Sequence, residues 1–425
     1  MRVLFTVNPG TTIFNHLVPL AWALRTAGHE VRVASQPLFA DEITRSGLTA
    51  VGVGRNLGIK RLLVAQGATE DTIQESRRGL PQPYCVAEDP DSLDWEESMM
   101  AWHYNVEHAK YETVAITAGL VEFARHWQPD LVIWEPFTPA GPIVAKACGA
   151  AHGRLIYGVD VFGLSRQHYL RLQAEQEPEH RGDPLADWLG GYARKYGGEY
   201  TEDMVTGQFT IDHMPASLQV EADGLDYRRM QYIPYGGPAV VPAWLQKPAQ
   251  RPRVAITMGI SATQFFGGYN IPFTDVLDSL ADLDVEIVAT VAESEQHKLG
   301  KTPDNARIVD YAPLHALAST CSAIIHHAGA ATLATVARHP IPHLSLHYHW
   351  DQPFLAKLLT QHGAGLDIHT TEVTGDNVRA SLLRLLNEPR FTQRATDLRD
   401  EMFALPSPNE LVHQLEELTT KHRTR

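Results

Sequence analysis

Two segments of this sequence carry residue types that could act as a base or hold an anion. In NPGTTIFNHLVP, residues 8–19, His16 follows a loop of small residues placed after an apolar run. In HHAGAAT, residues 326–332, two histidines precede a turn of small residues. A histidine can accept a proton near neutral pH, whereas small residues ahead of a helix let backbone N–H groups approach a phosphate. The sequence therefore offers a candidate base in one half of the chain and a candidate anion site in the other.

The HHAGAAT segment follows an apolar strand pattern and leads into a helical one. The small residues at 328–331 would let a phosphate approach, Thr332 adds a hydroxyl, and His326 and His327 add ring nitrogens. On this segment alone, an ordinary strand-to-helix turn with buried histidines is the better interpretation, because glycine-poor turns are weak motifs.

A second strand-to-helix pattern follows in LSLHYHWDQPFLAKLL, residues 344–359, with Asp351 and Gln352 at the predicted helix start. A carboxylate beside an amide suits hydrogen bonding to vicinal sugar hydroxyls, although Asp351 is equally plausible as a helix cap. One αβ unit separates this turn from HHAGAAT, so both are expected at the same edge of the sheet. That shared position favours a functional interpretation of both turns.

Histidines are also dense just after this turn of small residues, and a His-x-His pair can hold zinc. The residues concerned are His339, His343, His347 and His349. No cysteine and few acidic residues accompany them, and alternate residues of a strand are neighbours in any case. Because spacing alone gives many false matches, we expect no metal site.

Composition excludes several classes of protein. The chain has 425 residues, 36 basic and 50 acidic, and a net charge of −14, which argues against binding nucleic acid. The three cysteines are far apart, so neither a disulfide scaffold nor a Cys-x-x-Cys metal site is expected. The N-terminal MRVLFTV is no secretory signal, and no apolar run approaches the length of a membrane span. We expect a soluble, cytoplasmic protein.

Short β-branched runs alternate with helical patterns along both halves, which is typical of parallel sheets with crossover helices. The strands predicted in the first half are 2–7, 30–35, 48–53, 130–135 and 154–159. Those predicted in the second half are 253–259, 285–291, 306–312, 323–329, 343–348 and 363–368. Residues 55–111 are expected to mix helix and loop. Residues 165–235 are expected to be helical in pieces, for example DPLADWLGGYARKYGG (183–198), and a C-terminal helix is expected after a Ser407 cap.

Five prolines and two glycines in residues 234–253 indicate a linker between the two halves. We therefore predict two doubly wound α/β domains facing across a cleft. The predicted parts are an N-terminal domain (1–235), a linker (236–252), a second domain (253–405) and a C-terminal helix and tail (406–425). A Rossmann dehydrogenase is disfavoured, because the first turn, NPGTTIFN, has one glycine and lacks a GxGxxG pattern.

Over essentially its whole length the chain resembles the GT-B-fold glycosyltransferases, in particular the actinomycete enzymes that attach deoxysugars to macrolide and anthracycline aglycones. The segments that carry the resemblance are LVPLAWALRTAGHEVRVASQP (17–37), LTAVGVG (48–54), QPDLVIWEPFT (128–138), DPLADWL (183–189), VTGQFTID (205–212), PYGGPAVVPAWL (234–245), PDNARIVDYAPLHAL (303–317), HHAGAAT (326–332) and WDQ (350–352). The linker and VTGQFTID are similar to a subclass whose members often need a cytochrome P-450-like helper protein.

The resemblance implies roles for the donor-binding positions. His327 and the turn Gly329, Ala330, Ala331 and Thr332 would bind the pyrophosphate, with Thr257 and Ser261 nearby. Tyr311 would stack on the nucleotide base, followed by Pro313 and Leu314, and Asp351 and Gln352 would hold the sugar. Ala331 departs from a family turn that usually contains more glycine.

The resemblance also implies which nucleotide the donor carries. Many UDP-sugar enzymes place a Glu, which bonds the ribose hydroxyls, where this chain has Thr335. A thymidine diphosphate donor lacks the 2′-hydroxyl and so loses less without that carboxylate. We therefore expect a TDP-deoxysugar donor and no cofactor or metal.

Inversion at the anomeric carbon needs a base for the acceptor hydroxyl. His16 lies three residues before Pro19, as in many family members, and Glu135 stands where relatives place an Asp that orients the histidine. The antibiotic subclass instead tends to place its base at the position of Ile13, which cannot take a proton. A base displaced to His16 and a lost base are both open, as is a histidine that merely bonds local backbone.

Three functions follow as alternatives. The first is an inverting transferase moving a deoxysugar, specifically an aminodeoxysugar, to a hydrophobic polyketide-type aglycone. The second is a nucleotide-sugar epimerase or hydrolase on the same fold, and the third is a non-catalytic or accessory member. Trp95, Trp102 and Tyr104 favour an aglycone pocket only mildly, since such aromatics more often form core. A homodimer is a further expectation.

Overall fold

The computed structural model describes residues 1–57, 78–260, 262–263 and 268–424, without the side chain of Glu112. Two parallel sheets, one in each half of the chain, are each surrounded by helices. The predicted pair of doubly wound sheets is therefore confirmed.

The N-terminal sheet has seven strands in the order β3-β2-β1-β4-β5-β6-β7. They are β1 (Arg2–Thr6), β2 (Glu30–Ser35), β3 (Ala50–Gly52), β4 (Leu131–Trp134), β5 (Ala151–Leu155), β6 (Thr210–Asp212) and β7 (Tyr227–Arg229). The α-helices of this half are α1 (Thr11–Thr26), α2 (Ala40–Arg45), α3 (Trp95–Trp127), α4 (Ala140–Cys148), α5 (Val161–Ala174), α6 (Pro184–Tyr196) and α7 (Asp203–Thr206). Short 3-10 turns occupy Pro37–Phe39, Tyr84–Ala87, Pro178–His180 and Ala216–Leu218.

The C-terminal sheet has six strands in the order β10-β9-β8-β11-β12-β13. They are β8 (Arg253–Thr257), β9 (Glu286–Thr290), β10 (Ala306–Val309), β11 (Ala323–His326), β12 (His343–His347) and β13 (Gly365–His369). The helices are α8 (Phe273–Ser279), α9 (Glu293–Gln296), α10 (Leu314–Ala318), α11 (Ala330–Val336), α12 (Gln352–His362), α13 (Gly375–Asn387), α14 (Pro389–Ala404) and α15 (Pro408–His422), with a 3-10 turn at Thr370–Glu372.

In each sheet the strand order reverses beside the first strand, and ligands of doubly wound sheets bind outside the carboxyl ends of the strands at such a reversal. In the first sheet β1 pairs with β2 on one side and β4 on the other. In the second, β8 pairs with β9 and β11. The predicted site residues lie after β1 and β4 in the first sheet, and at or after the ends of β8, β10, β11 and β12 in the second.

The C-terminal helix α15 packs back on the N-terminal half. The Ser407 side chain accepts a hydrogen bond from the backbone N–H of Glu410, so the predicted cap is confirmed. Leu411, Leu415 and Leu418 share a buried apolar cluster with residues of β1 and α1. The end of the chain thus fastens the second half to the first.

Several elements differ from the sequence prediction. β5 spans Ala151–Leu155, earlier than the predicted 154–159, and β6 and β7 were not predicted because each has only three residues. The irregular stretch before residue 111 contains most of α3, a 33-residue helix begun by a capping box between Asp94 and Glu97. Residues 58–77 of that stretch lie outside the described chain. None of the described helices is both long enough and apolar enough to cross a membrane.

Candidate active site

His16 lies on α1, the helix that follows β1, and is only 6% exposed. Its Nδ1 is 3.0 Å from Nε2 of His213, and the two rings stack with centroids 4.7 Å apart and planes 21° apart. The ring of Tyr232 lies 5.5 Å away and that of Tyr157 lies 6.0 Å away. The candidate base is therefore enclosed by aromatic side chains and joined to a second histidine.

Burial makes both histidines weak bases. Burial, and secondly the neighbouring His213, hold the pKa of His16 well below its ordinary value. Burial lowers the pKa of His213 to about 4, with the backbone of Tyr157 acting in the opposite direction. Both rings are therefore neutral at neutral pH, and a neutral pair shares a single N–H···N hydrogen bond.

Glu135 does not orient His16 as the resemblance implied. The buried carboxylate accepts hydrogen bonds from the backbone N–H of Asn8 at 3.2 Å, the backbone N–H of Phe137 at 2.8 Å and the hydroxyl of Thr138. These bonds tie the loop after β1 to the loop after β4, while His16 uses Nδ1 for His213. Burial raises the pKa of Glu135 to about 7. The expected role of Glu135, orienting His16, is therefore wrong. Its carboxyl group instead holds the loop after β1 against the loop after β4.

His213 was missed by the sequence analysis. It directly follows β6, and so stands at the carboxyl edge of the first sheet. The resemblance stopped at VTGQFTID, one residue short of it. Recognising TID as a three-residue strand would have placed His213 at the same edge as His16, because carboxyl ends of parallel strands share an edge.

In the second half, His326 fixes the turn that follows β11. Its Nδ1 accepts a hydrogen bond of 2.9 Å from the backbone N–H of Ala328, and its Nε2 lies 2.9 Å from Nδ1 of His343. Both rings are buried, and burial lowers the pKa of His343 to about 3. Thr257, at the end of β8, pairs with His326 in the sheet and is also buried.

The His327 ring is wedged between two glycines. A Cβ added to Gly329 would lie 2.3 Å from Nε2 of His327, and one added to Gly259 would lie 2.5 Å from Cε1. Burial lowers the pKa of His327 to about 4. Gly329 is the N-cap of α11, whose first residues, Ala330, Ala331 and Thr332, are partly exposed. Ser261 lies outside the described residues.

Asp351 reaches from the second half to the first. Its Oδ2 lies 2.2 Å from the place that a Cβ on Gly158 would take, so a side chain at position 158 would displace this carboxylate. The Asp351 carboxylate makes no hydrogen bond to the first backbone N–H groups of α12. The sequence had left open that Asp351 caps this helix, and its side chain does not do so. Burial, with a smaller contribution from Glu88, raises its pKa to about 7. The neighbouring Gln352 accepts hydrogen bonds from the backbone N–H groups of Tyr348 and His349, at 3.3 and 3.1 Å.

The remaining donor positions lie after β10. Tyr311 is 48% exposed, while Pro313 is buried and caps α10, and Leu314 is its half-buried first residue. The Thr335 hydroxyl donates to the carbonyl of Ala331 at 2.7 Å and contacts Tyr232. Thr335 is therefore already engaged by protein groups.

An aromatic cluster crosses between the halves beside Asp351. Its members are Tyr84, Phe137, Tyr157, Phe162 and Trp350, with neighbouring ring centroids between 5.1 and 6.4 Å apart. Trp102 is core, packed edge-on against Tyr169, and Tyr104 is exposed. The sequence analysis named Trp95, Trp102 and Tyr104. Trp95 packs against Tyr169, and Trp102 also meets Tyr84 of the cluster, with ring centroids 6.4 Å apart.

The dense histidines of the second half bond to protein groups. His343 pairs with His326, and His347 lies 3.2 Å from Asp367. Across the residues that the structure describes, no three His, Cys, Asp or Glu side chains are grouped so as to hold a metal ion.

Known proteins resemble this chain over both halves. Family models described as Erythromycin biosynthesis protein CIII-like match residues 22–259 with the N-terminal domain and residues 274–418 with the C-terminal domain. The 10-deoxymethynolide desosaminyltransferase of Streptomyces venezuelae is 43% identical over 100% of this chain and 98% of its own length. TDP-daunosamine transferase DnrS of Streptomyces peucetius is 39% identical over 100% and 98%.

Solved structures agree with this assignment. Glycosyltransferase VinC, in complex with DTDP, has a TM-score of 0.87 and 37% identity, covering 99% of this chain and 100% of its own. The spinosyn forosaminyltransferase SpnP has a TM-score of 0.82 and 38% identity, covering 99% of both chains. The fold is thus the GT-B fold of these enzymes, and the chain belongs to the Erythromycin biosynthesis protein CIII-like family of glycosyltransferases.

Proposed function

We propose that this enzyme transfers a deoxysugar, more narrowly an aminodeoxysugar, from a TDP-sugar to a hydroxyl of a polyketide-type antibiotic aglycone, with inversion at the anomeric carbon. The observation that carries the proposal is the full-length match to two transferases named for desosamine and daunosamine. The complex of VinC with DTDP supports the choice of nucleotide.

The donor would lie at the carboxyl edge of the second sheet. In this arrangement His327 and the turn at Gly329–Thr332 contact the pyrophosphate, beside Thr257 at the end of the adjacent strand. Tyr311 offers an exposed ring for the base. Asp351 and the amide nitrogen of Gln352 face the sugar hydroxyls. Thr335, engaged by Ala331 and Tyr232, supplies no carboxylate for a ribose 2′-hydroxyl.

In the transfer step, the acceptor oxygen forms a bond to the anomeric carbon as the bond from that carbon to the diphosphate oxygen breaks. The hydroxyl proton moves to Nε2 of His16, because Nδ1 is used by His213. TDP leaves as the anion, and His16 then releases the proton to solvent. Such general-base assistance contributes about 10²–10⁴-fold to the rate.

The acceptor would pack against the aromatic cluster of Tyr84, Phe137, Tyr157, Phe162 and Trp350. Large aromatic faces suit an apolar, ring-containing aglycone. Phe137 belongs to the loop after β4, and Trp350 directly precedes Asp351 in sequence. This placement would bring the aglycone next to the sugar.

Three narrower statements belong to the same proposal. Transfer is independent of metal, with the diphosphate charge met by His327 and backbone N–H groups. A cytochrome P-450-like helper protein acts on this enzyme, as the likeness of the VTGQFTID and linker segments implies. The enzyme works in the cytoplasm as a homodimer.

The test is incubation with a TDP-aminodeoxysugar and a macrolide or anthracycline aglycone, with and without a helper protein and with EDTA. The expected product is the glycoside, unchanged in amount by EDTA. Release of free sugar without a glycoside would identify a hydrolase, and a new sugar nucleotide would identify an epimerase.

A thermal-shift measurement tests the nucleotide of the donor. If UDP-glucose raised the melting temperature more than TDP did, the assignment of a TDP-sugar donor would be contradicted.

A non-catalytic member is the second candidate, and two observations favour it. Ile13 stands where the antibiotic subclass places its base, and His16 is only 6% exposed. This candidate predicts TDP binding without turnover, with every helper and acceptor tried.

A further inference from the structure

We propose that His213 is the positioning residue for His16, holding the base in the tautomer that can accept the acceptor's proton. This inference rests on the function proposed above and refines its base. In many enzymes a carboxylate plays this part, orienting a histidine through the ring nitrogen that does not react. Here a second imidazole would do so.

The geometry assigns each ring nitrogen a task. For Nε2 of His16 to accept a proton, Nδ1 must carry the hydrogen. That hydrogen then points at Nε2 of His213, 3.0 Å away. Nε2 of His213 accepts this hydrogen, so His213 carries its own hydrogen on Nδ1. The backbone of Tyr157 lies near this ring and raises its pKa, which favours a hydrogen there. The donor chain therefore runs from His16 to His213, whose buried Nδ1 lies near the Tyr157 backbone without a hydrogen bond of normal geometry.

The nearby carboxylates are committed elsewhere. Glu135 bonds Asn8, Phe137 and Thr138. Asp212, although adjacent to His213 in sequence, accepts from the backbone N–H of Met214 at 2.9 Å and from the Gln219 amide at 3.1 Å. Asp212 also lies 3.6 Å from Arg229. Neither carboxylate is bonded to the histidine pair in the part of the chain that the structure describes.

The other elements packed against the pair bring aromatic rings and, behind Tyr232, the cation of Arg338. Tyr232 faces both histidines, with ring centroids 5.5 Å from His16 and 5.2 Å from His213. The guanidinium of Arg338 bonds the carbonyl of Tyr232 at 2.8 Å. Tyr157 completes the enclosure of His16. The imidazolium formed during transfer would therefore have no carboxylate partner among the residues that the structure describes.

A neutral positioning residue has a different signature from a carboxylate. It fixes the orientation of the base without stabilising the imidazolium, so the base titrates at low pH and stays unprotonated across the physiological range. Placing a carboxylate at the same point should raise the pKa of the base, because an opposite charge within about 4–6 Å favours the charged form. A residue that only fills space would not affect the pH profile in this way.

Three variants of the full-length enzyme test the proposal. His213→Gln keeps an acceptor oxygen near the position of Nε2 and should keep kcat within about fivefold. His213→Leu removes the acceptor and should lower kcat about 100-fold, the scale of general-base assistance, with KM for the TDP-sugar unchanged. His213→Glu should move the acidic limb of the kcat/KM profile to higher pH by about one unit.

The matched control is His152→Gln, which alters another fully buried histidine of the same sheet. His152 bonds Trp134 and Asp203 rather than His16, so this variant should keep both kcat and the pH profile. TDP affinity and the melting temperature of each variant establish that it is folded.

The outcomes separate the two proposals. With wild type active and His16→Ala inactive, equal kcat for the Gln and Leu variants would overturn the role of His213. An unmoved acidic limb in a folded, active His213→Glu enzyme would overturn it as well. Full turnover by His16→Ala would instead overturn the proposed base, and an inactive wild type would overturn the proposed function.

Discussion

The backbone N–H of Ala328 donates a hydrogen bond to Nδ1 of His326, over 2.9 Å, across the turn after β11. This bond leaves the ring hydrogen on Nε2, which donates to Nδ1 of His343 at 2.9 Å. Ala328 has a φ of 60°, a left-handed conformation that costs a non-glycine residue about 1–2 kcal/mol. The turn proposed to hold the pyrophosphate thus depends on two buried histidines beneath it.

His326→Leu should therefore weaken TDP binding about tenfold. The substitution leaves the Ala328 N–H without its partner, at a cost of about 1–3 kcal/mol, and 1.4 kcal/mol corresponds to a factor of ten in affinity. Isothermal titration with TDP measures the effect. His326→Asn is the control, since its side-chain oxygen can still accept from the N–H two residues on. Equal affinities for the two variants would contradict this account of the turn.

Gly329→Ala should displace His327 and weaken TDP binding by a similar factor. The backbone of Gly329, with φ of −61°, suits alanine, so the effect isolates the added Cβ, which would lie 2.3 Å from Nε2 of His327. Overpacking of this kind costs about 1–3 kcal/mol. Gly191→Ala is the control, because a Cβ there meets nothing within 4 Å. Unchanged TDP affinity in Gly329→Ala would show that His327 does not depend on this glycine.

Asp351 should make the protein less stable as pH rises. Its folded pKa of about 7 exceeds the ordinary value near 4, so the folded state holds this proton more tightly than the unfolded state does. The free energy of unfolding therefore falls as pH increases from about 4 to about 7. Asp351→Asn removes this dependence and should be more stable than wild type by a few kcal/mol at pH 8, with little difference at pH 4.

Urea unfolding of the wild type and Asp351→Asn at both pH values measures the difference. Asp400→Asn serves as the control, because it makes the same substitution at a side chain that is 64% exposed. If Asp351→Asn raised the free energy of unfolding equally at both pH values, the pH dependence of stability would not come from the Asp351 carboxyl.

Leu415→Ala should lower the free energy of unfolding by about 2–5 kcal/mol, the usual cost of emptying a buried leucine site. Leu415 is fully buried in the cluster that joins α15 to the N-terminal half. Glu417 lies on the same helix, but its side chain is 69% exposed. Glu417→Ala should therefore change the free energy of unfolding by less than about 0.5 kcal/mol. Equal effects of the two substitutions would indicate that α15 is not docked as described.

The sequence predicted the sheets well where strands are long and apolar. β1 and β2, whose residues after the first are almost all buried, were found almost to the residue. β6 and β7 were missed because a three-residue strand has too few positions to show a period. The first half of α3 was predicted only as mixed helix and loop, because its apolar positions are interrupted by polar and histidine residues over many turns.

The strand-to-helix turn at HHAGAAT could be predicted, because its whole pattern lies in one segment. The partner of His16 could not, because the two histidines are 197 residues apart and meet only through the fold. For Glu135 the sequence analysis predicted a contact with His16 that the fold does not make. Its position after β4 was predicted correctly, but its hydrogen bonds are satisfied by its own loop and the loop after β1.

Transfer by His16→Ala, measured beside its affinity for TDP, tests the central claim most directly. The account predicts that transfer to the aglycone falls at least about 100-fold. The Kd for TDP should stay within about twofold of wild type, because the proposed donor contacts lie on the other sheet. Turnover at the wild-type rate, from a variant that binds TDP normally, would contradict the assignment of His16 as the base.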